Sequence, residues 1–439
     1  MKKAALQATA ILMAAAAIGT LCSCGGDDSD SQGGNGNGNN GNNPVVTKAM
    51  TSDEAGDYLN TTADNLISLF NVNDQKQTIT LASDFIDLYG DYDVPDEFDV
   101  EESHQVKAPS LAKTMRYLAK ACTSDPSAAS RAASEWVYTY NINPSDMRGI
   151  YEPNSRNEQW EKTGNSENIV FRFKHNGKQC EVIAMFSNNS WDVDYTYTDD
   201  DMWYKDTYNY YVAVPASISL VITEAGTTLV TATVESSFSN RQMLNVNSSI
   251  TVQNLRVDFT LAATNTSAQT SQQVYVGSTC MLASSANVNG TNLCDKDRLI
   301  DLANGDYDVD RFFTSGTAEA NILGRVTVKA EVSKLADILD YCNTDYSSES
   351  SARKGAATLN NSCTGNVYFN SSILQATLGW QAYLDDESWG GRQYWGVEPI
   401  LRFESDSSQF AFENYFDDFR FGNITDRFDD VYDTYERYW

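Results

Sequence analysis

At 439 residues the chain is long enough for roughly two to four ordinary domains, or for one large antiparallel sheet. Hydrophobic residues make up 41% and charged residues 21%, enough to bury a core, while 60 acidic residues against 31 basic ones give a net charge of −29. That balance excludes a broadly basic surface for nucleic acid or anionic lipid headgroups, and two histidines in the whole chain argue against a zinc site or a serine triad.

Lys2 and Lys3 form a positive leader, and Ala4 to Ile18 an apolar stretch broken only by Gln7 and Thr9. This suits translocation and is too short to span a bilayer stably. Leu21-Cys22-Ser23-Cys24 follows and resembles the lipobox of bacterial lipoproteins. The resemblance implies a signal peptide over residues 1–23 and a new N-terminal Cys24 carrying diacylglycerol as a thioether. Two or three acyl chains of the palmitate class would then make the anchoring durable. Cys24 fits better than Cys22, because Leu21 and Ser23 then stand at the matching positions. From Gly25 to Asn43 the chain holds only Gly, Asn, Asp, Ser and Gln and has nothing to bury. Residues 24–48 therefore read as the lipidated cysteine and a flexible tether. Gly25-Gly26-Asp27-Asp28-Ser29-Asp30 resembles the acidic signal that sends Bacteroidetes lipoproteins to the outer face of the outer membrane, which implies a surface-exposed, lipid-anchored body.

Residues 49–130 read as helical. Ser52 is the expected N-cap of a helix over about 53–70, with Ala55, Leu59, Thr62, Leu66 and Leu69/Phe70 at helical spacing. Asp74 caps a second, with Ile79, Ala82, Phe85/Ile86 and Tyr89 inward, and the two together predict an αα-hairpin. A third helix is expected from Pro109 to Ala121, on the stripe Leu111, Met115 and Leu118.

Beyond Trp136 the period changes to two, and residues 131–439 read as mainly antiparallel sheet. Ile169 to Phe186 and Ile218 to Val234 look like related hairpins, each turning at a glycine, Gly177 or Gly226. Further strands are expected near 249–262, 272–284, 321–333, 366–384, 396–404 and 408–413. A helix is expected from Lys334 to Tyr341. A closing helix capped by Asn423 would carry Ile424, Phe428, Val431, Tyr435 and Tyr438 onto a sheet face, with Tyr432 and Trp439 beside them. The predicted fold is α+β: N-terminal helices, then a large curved antiparallel sheet with a C-terminal helix packed on it, residues 49–439 forming one structural unit. Leu-Tyr-Gly-Asp-Tyr-Asp (88–93), Val-Pro-Ala-Ser-Ile-Ser-Leu (214–220) and Phe-Glu-Asn-Tyr-Phe (412–416) resemble a group of Bacteroidetes outer-membrane lipoproteins. The likeness covers most of the chain after residue 50 and implies location and architecture without active-site residues.

Six cysteines remain after the anchor: Cys122, Cys180, Cys280, Cys294, Cys342 and Cys363. Cys280 with Cys294 and Cys342 with Cys363 are the first disulfide candidates, against buried free thiols. Clustered acids at Asp91/Asp93, Asp192/Asp194, Asp199–Asp201 and Asp306/Asp308/Asp310 raise calcium, although Arg311 stands where an EF-hand loop needs glycine. Solvated turns give the same pattern, and no other cofactor is indicated. His104 and His175 read as surface residues of a loop and a turn. Aromatic residues gather in two polar segments: Trp191, Tyr195, Tyr197, Trp203, Tyr204 and Tyr208, then Trp389, Tyr394 and Trp395. Sugars stack on such rings, so Trp191, Trp203, Tyr204, Trp389 and Trp395 are the candidate ligand-binding residues, with sheet packing as the alternative. The expected function is non-catalytic binding of an extracellular glycan or protein. A carboxylate glycoside hydrolase and a carrier of an apolar ligand are the rivals.

Overall fold

The computed structural model describes residues 46–69, 72–92, 136–187, 190–200, 205–239, 243–293, 313–342, 344, 346–370, 372–385 and 394–417. Helices α1 (Ser52–Leu69) and α2 (Val72–Asp91) come first, then strands β1 (Trp136–Ile142), β2 (Gly149–Asn154), β3 (Gln159–Gly164), β4 (Ile169–His175), β5 (Lys178–Phe186), β6 (Ser190–Asp200) and β7 (Lys205–Pro215). The meander continues through β8 (Ser217–Glu224), β9 (Thr227–Ser239), β10 (Met243–Val252), β11 (Leu255–Thr264), β12 (Ser267–Val276), β13 (Thr279–Gly290), β14 (Phe313–Ile322) and β15 (Val326–Val332). Helices α3 (Leu335–Cys342) and α4 (Glu349–Ser362) interrupt it before β16 (Cys363–Phe369), β17 (Ile373–Asp385), β18 (Tyr394–Phe403), β19 (Gln409–Ala411) and the short α5 (Phe412–Asp417).

The architecture is α+β with a large sheet, as the patterning predicts. Sixteen strands follow the order β19-β18-β17-β16-β15-β14-β13-β12-β11-β10-β9-β8-β5-β4-β2-β3, and β1-β7-β6 form a second sheet. The large sheet is mixed rather than purely antiparallel. Strand β3 returns beside β2, so β4 resumes the direction of β2 and pairs with it in parallel, Ile150 facing Val170. In the small sheet β1 likewise runs parallel to β7.

The expected hairpins form at their glycines. Asn176 (φ 49°) and Gly177 (φ 76°) make a two-residue loop between β4 and β5, and Ala225 (φ 50°) and Gly226 (φ 80°) do the same between β8 and β9. Left-handed conformation at both loop positions matches the twist of the strands, and glycine adopts it without a Cβ penalty. Four of the later strand windows each span a turn between two strands instead of one strand. The window 249–262, for example, turns at Gln253 (φ 56°) and Asn254, a pair without glycine or proline to mark it.

By compactness the chain divides into two units. One unit holds the described residues up to Leu69, those of Gln269–Asn289 and those from Phe313 on; the other holds those of Asn71–Ala268 and of Gly290–Phe312. In the first, Ala55 and Tyr58 of α1 pack with Val326, Phe369, Leu401 and Tyr415, while α3 and α4 cover Val332, Trp380 and Val397. In the second, Leu81, Phe85 and Tyr89 of α2 pack on Trp160, Phe171 and Phe173. The two N-terminal helices thus contribute to different cores. Of the inner face predicted for α2, Phe85 and Tyr89 do pack inward, but Gln75, Thr78 and Leu81 are buried as well and Ile86 is 52% exposed. Polar Gln75 and Thr78 thus share the buried side with the apolar stripe that the spacing suggests. Among the described residues no helix is long and apolar enough to cross a membrane. The third helix over Pro109–Ala121 and the closing helix from Asn423 lie outside them.

Candidate functional site

The register of β1, β7 and β6 gathers one residue type. Tyr138 of β1 faces Tyr208 of β7, which faces Tyr197 of β6; two residues along, Tyr140 faces Tyr210, which faces Tyr195. Successive strand residues alternate between faces, so positions two apart share one, and the six tyrosines occupy two adjacent cross-strand rows. The rows on either side belong to the same face. On one side come Ile142, Val212 and Val193, then Val214 opposite Trp191; on the other come Trp136, Asp206 and Asp199. Val214 is buried in the core beneath α2. Along this face the register therefore passes from an aliphatic end, through tyrosine, to tryptophan and two aspartates. The opposite face carries Asn141, Tyr211 and Asp194, then Thr139, Asn209 and Thr196, then Val137, Thr207 and Thr198.

Of the predicted ligand-binding residues, Trp191 belongs to this face. Trp203, Tyr204 and Trp389 lie outside the described residues, as do Cys24 and His104. Trp395 sits elsewhere, in β18, where its backbone exchanges two hydrogen bonds with Tyr346 (2.9 and 3.0 Å) and its partly buried side chain packs on the core under α3 and α4. The acidic pair Asp192 and Asp194 is in β6, Asp199 and Asp200 close that strand, and Asp91 ends α2, while Asp306, Asp308 and Asp310 are not among the described residues. Among those that are, no group of three or more His, Cys, Asp or Glu residues gathers to hold a metal.

Cys342 and Cys363 share one buried cluster and are free thiols. Burial pushes the Cys342 thiol up to about 12 and the Cys363 thiol up as well, so neither is a thiolate nucleophile at neutral pH. Cys280 donates to Leu282 O, and its expected partner Cys294 is not described.

A second constellation escapes the sequence reading. His175 is only 4% exposed, which overturns its assignment as a surface residue. It is the last residue of β4, and α2 lies over it: His175 Nδ1 is 2.5 Å from Asp84 Oδ2, and Nε2 is 2.8 Å from Asn176 Nδ2. A neutral ring donating from Nδ1 and accepting at Nε2 satisfies both contacts. Two strands over, at the end of β8, buried Glu224 accepts from Lys178 Nζ at 2.7 Å and from Gln77 Nε2 of α2. The Lys178 hydrogen bond, aided by Gln77, holds the Glu224 carboxyl below its ordinary value despite the opposing effect of burial. Cys180 stands opposite Glu224 in the register, fully buried, and desolvation raises its thiol. The chemistry of this group is therefore that of a polar latch between helix and sheet. Only the spacing Asp84, Gln77 on one side of α2 hinted at it, and nothing local shows which strand those residues meet.

No protein-family model matches this chain, and no curated protein and no solved structure is significantly similar to it.

Proposed function

We propose that this protein is a lipoprotein of the outer membrane, held by acyl chains on Cys24 and exposed at the cell surface, whose body binds an extracellular glycan or protein ligand without catalysing a reaction. The observation that carries the binding part is the double row of tyrosines across β1, β7 and β6. Tyrosine combines a large apolar ring with a polar tip, the combination that suits a surface meeting sugar faces or a partner's apolar side chains in water. Support for the anchor comes from Leu21-Cys22-Ser23-Cys24 and the polar tether behind it. A net charge of −29 is in keeping with a body kept off anionic headgroups, attached through lipid alone.

Intact mass and N-terminal peptide analysis of the native protein tests the anchor, with thioether-linked diacylglycerol expected on Cys24 and Cys24→Ala expected in the soluble fraction. An unmodified N-terminus, or recovery from the cytosol, would discard it. Binding is tested by presenting the mature protein to a glycan array and to extracellular protein extracts, and silence in both removes the ligand-binding reading.

A further inference from the structure

We infer that the apolar face of β9, β10 and β11 is where two copies of this chain meet, in a weak and reversible symmetric contact. The register builds the face from successive rows: Val246 faces Leu261, Val234 and Phe259 flank Ser248, and Ile250 faces Val257. It continues the face that α2 covers, since Val230 and Val252 of the next row pack into the core beneath that helix. Under α2 the side chains of this face are sealed, as Val182 shows at 3% exposure. Beyond α2 they are open. Ile250 is 45% exposed, Val234, Val246, Val257, Phe259 and Leu261 are half-buried, and none of these six belongs to a buried cluster of the described residues.

Charge selects the occupant. The three charged residues of these strands, Glu235, Arg256 and Asp258, all stand on the opposite face, where Arg256 and Asp258 pair at 3.1 Å. Two molecules of net charge −29 repel wherever their acidic surfaces approach, so like chains meet at least electrostatic cost on an area that carries none. A cationic partner gains nothing there. Aliphatic side chains and a phenyl ring also need no matching polar groups, so the patch is its own complement about a twofold axis. Size sets the strength. Three strands about 4.8 Å apart and four rows about 6.8 Å apart make a patch of about 14 Å by 27 Å. Pairing two such patches removes on the order of 800 Å² from water, the range of transient association rather than of an obligate dimer. Tethering in one membrane plane, as in the function proposed above, concentrates copies and favours so small a contact, although the face itself does not depend on that reading.

The test is sedimentation of the full mature chain carrying Cys24→Ala, free of detergent, over a concentration series reaching the submillimolar range at low and at high salt. A monomer–dimer equilibrium is expected, shifted towards dimer by salt as the repulsion between copies is screened. Ile250→Glu should weaken dimerisation by about tenfold or more. Asn247→Glu makes a like change of charge on the exposed opposite face of the same strand and should leave dimerisation nearly unchanged. Should Ile250→Glu lose its circular-dichroism signature, hydroxyl-radical footprinting of the wild type is the second readout, with Ile250 and Phe259 expected to lose reactivity as concentration rises. A monomer at every concentration and salt, equal weakening by the two variants, undiminished association of folded Ile250→Glu, or unchanged reactivity of Ile250 and Phe259 in the dimer each overturns the inference. A monomer whose Tm falls with Ile250→Glu but not with Asn247→Glu would overturn it in favour of a cover supplied by the chain itself. None of these outcomes touches the glycan or protein ligand, which the binding screens test separately.

Discussion

Asp406 caps a helix that begins 354 residues earlier in the chain. Its Oδ2 accepts from the amide (2.9 Å) and hydroxyl (3.2 Å) of Ser52, while Oδ1 accepts from the amide and hydroxyl of Ser408. Ser52, expected from sequence as the N-cap of α1, is instead its first helical residue. Thr51 is the cap, in a reciprocal box in which Thr51 N donates to Glu54 Oε2 (2.9 Å) and Glu54 N to Thr51 Oγ1 (3.3 Å). The Ser408 hydroxyl, followed by the Ser52 and Ser408 amides, holds the Asp406 carboxyl well below the usual carboxylate range. Since the folded value is the lowered one, this contribution is complete above the unfolded carboxyl value of about 3.9 and is lost as pH falls through the folded value. Asp406→Asn is therefore expected to lower Tm at neutral pH and to flatten the fall in Tm between about pH 5 and pH 2. Parallel acid limbs for variant and wild type in a pH series of thermal melts would contradict it. Acidic residues early in α1 signal a helix start in the sequence; that a carboxylate from the β18–β19 turn completes the cap is a fact of tertiary structure alone.

Helix α2 shows what a whole element gains from mixed polarity. Its aromatic side packs Phe85 against Phe173 (5.4 Å between ring centroids) and Tyr89 against Phe171 (5.4 Å), and Leu81 beside them is fully buried. Hydrophobic burial holds the helix but is not directional, and the flanking pairs Gln77–Glu224 and Asp84–His175 fix its rotation and axial position on the sheet. Glu224→Ala removes the acceptor of Gln77 and Lys178, which are exposed and regain water, so the expected cost is the net worth of the lost hydrogen bonds to a charged group, about 1–3 kcal/mol in denaturant unfolding. Glu224→Gln keeps an acceptor and should recover most of that, the half-exposed Lys178 contributing little through charge alone. Equal losses in the two variants would mean that the charge, and not hydrogen-bond satisfaction, is what matters. Local periodicity announces α2 as a helix and finds Phe85 and Tyr89 of its inner face, but misses Gln75 and Thr78, because these buried positions are polar and only the facing strands reveal their partners.

The whole molecule is built on more than one core. Phe369 is buried with Tyr58 stacked on it at 4.4 Å, in the unit that contains α1, while Leu81 belongs to the unit that contains α2. Leu81→Ala and Phe369→Ala are each expected to cost about 2–5 kcal/mol. Hydrogen exchange should place the loss in different strands, β4 and β5 for the first and β15 to β17 for the second. A uniform rise in exchange across all strands in both variants would show that the cores unfold as one.

Charge, the helical period of α1, the alternation of the strands and the glycine-bearing turns of β4–β5 and β8–β9 are properties of neighbouring residues, and the chain displays them before it folds. The tyrosine-rich segments are visible in the same way, but as scattered aromatics among aspartates. Long-range pairing decides the rest. Only the parallel register of β1 on β7 brings Tyr138 beside Tyr208, and only the docking of α2 turns an apparently exposed His175 into a buried, hydrogen-bonded one. Strand register and helix rotation depend on the summed packing of residues far apart in sequence, so no local window contains them.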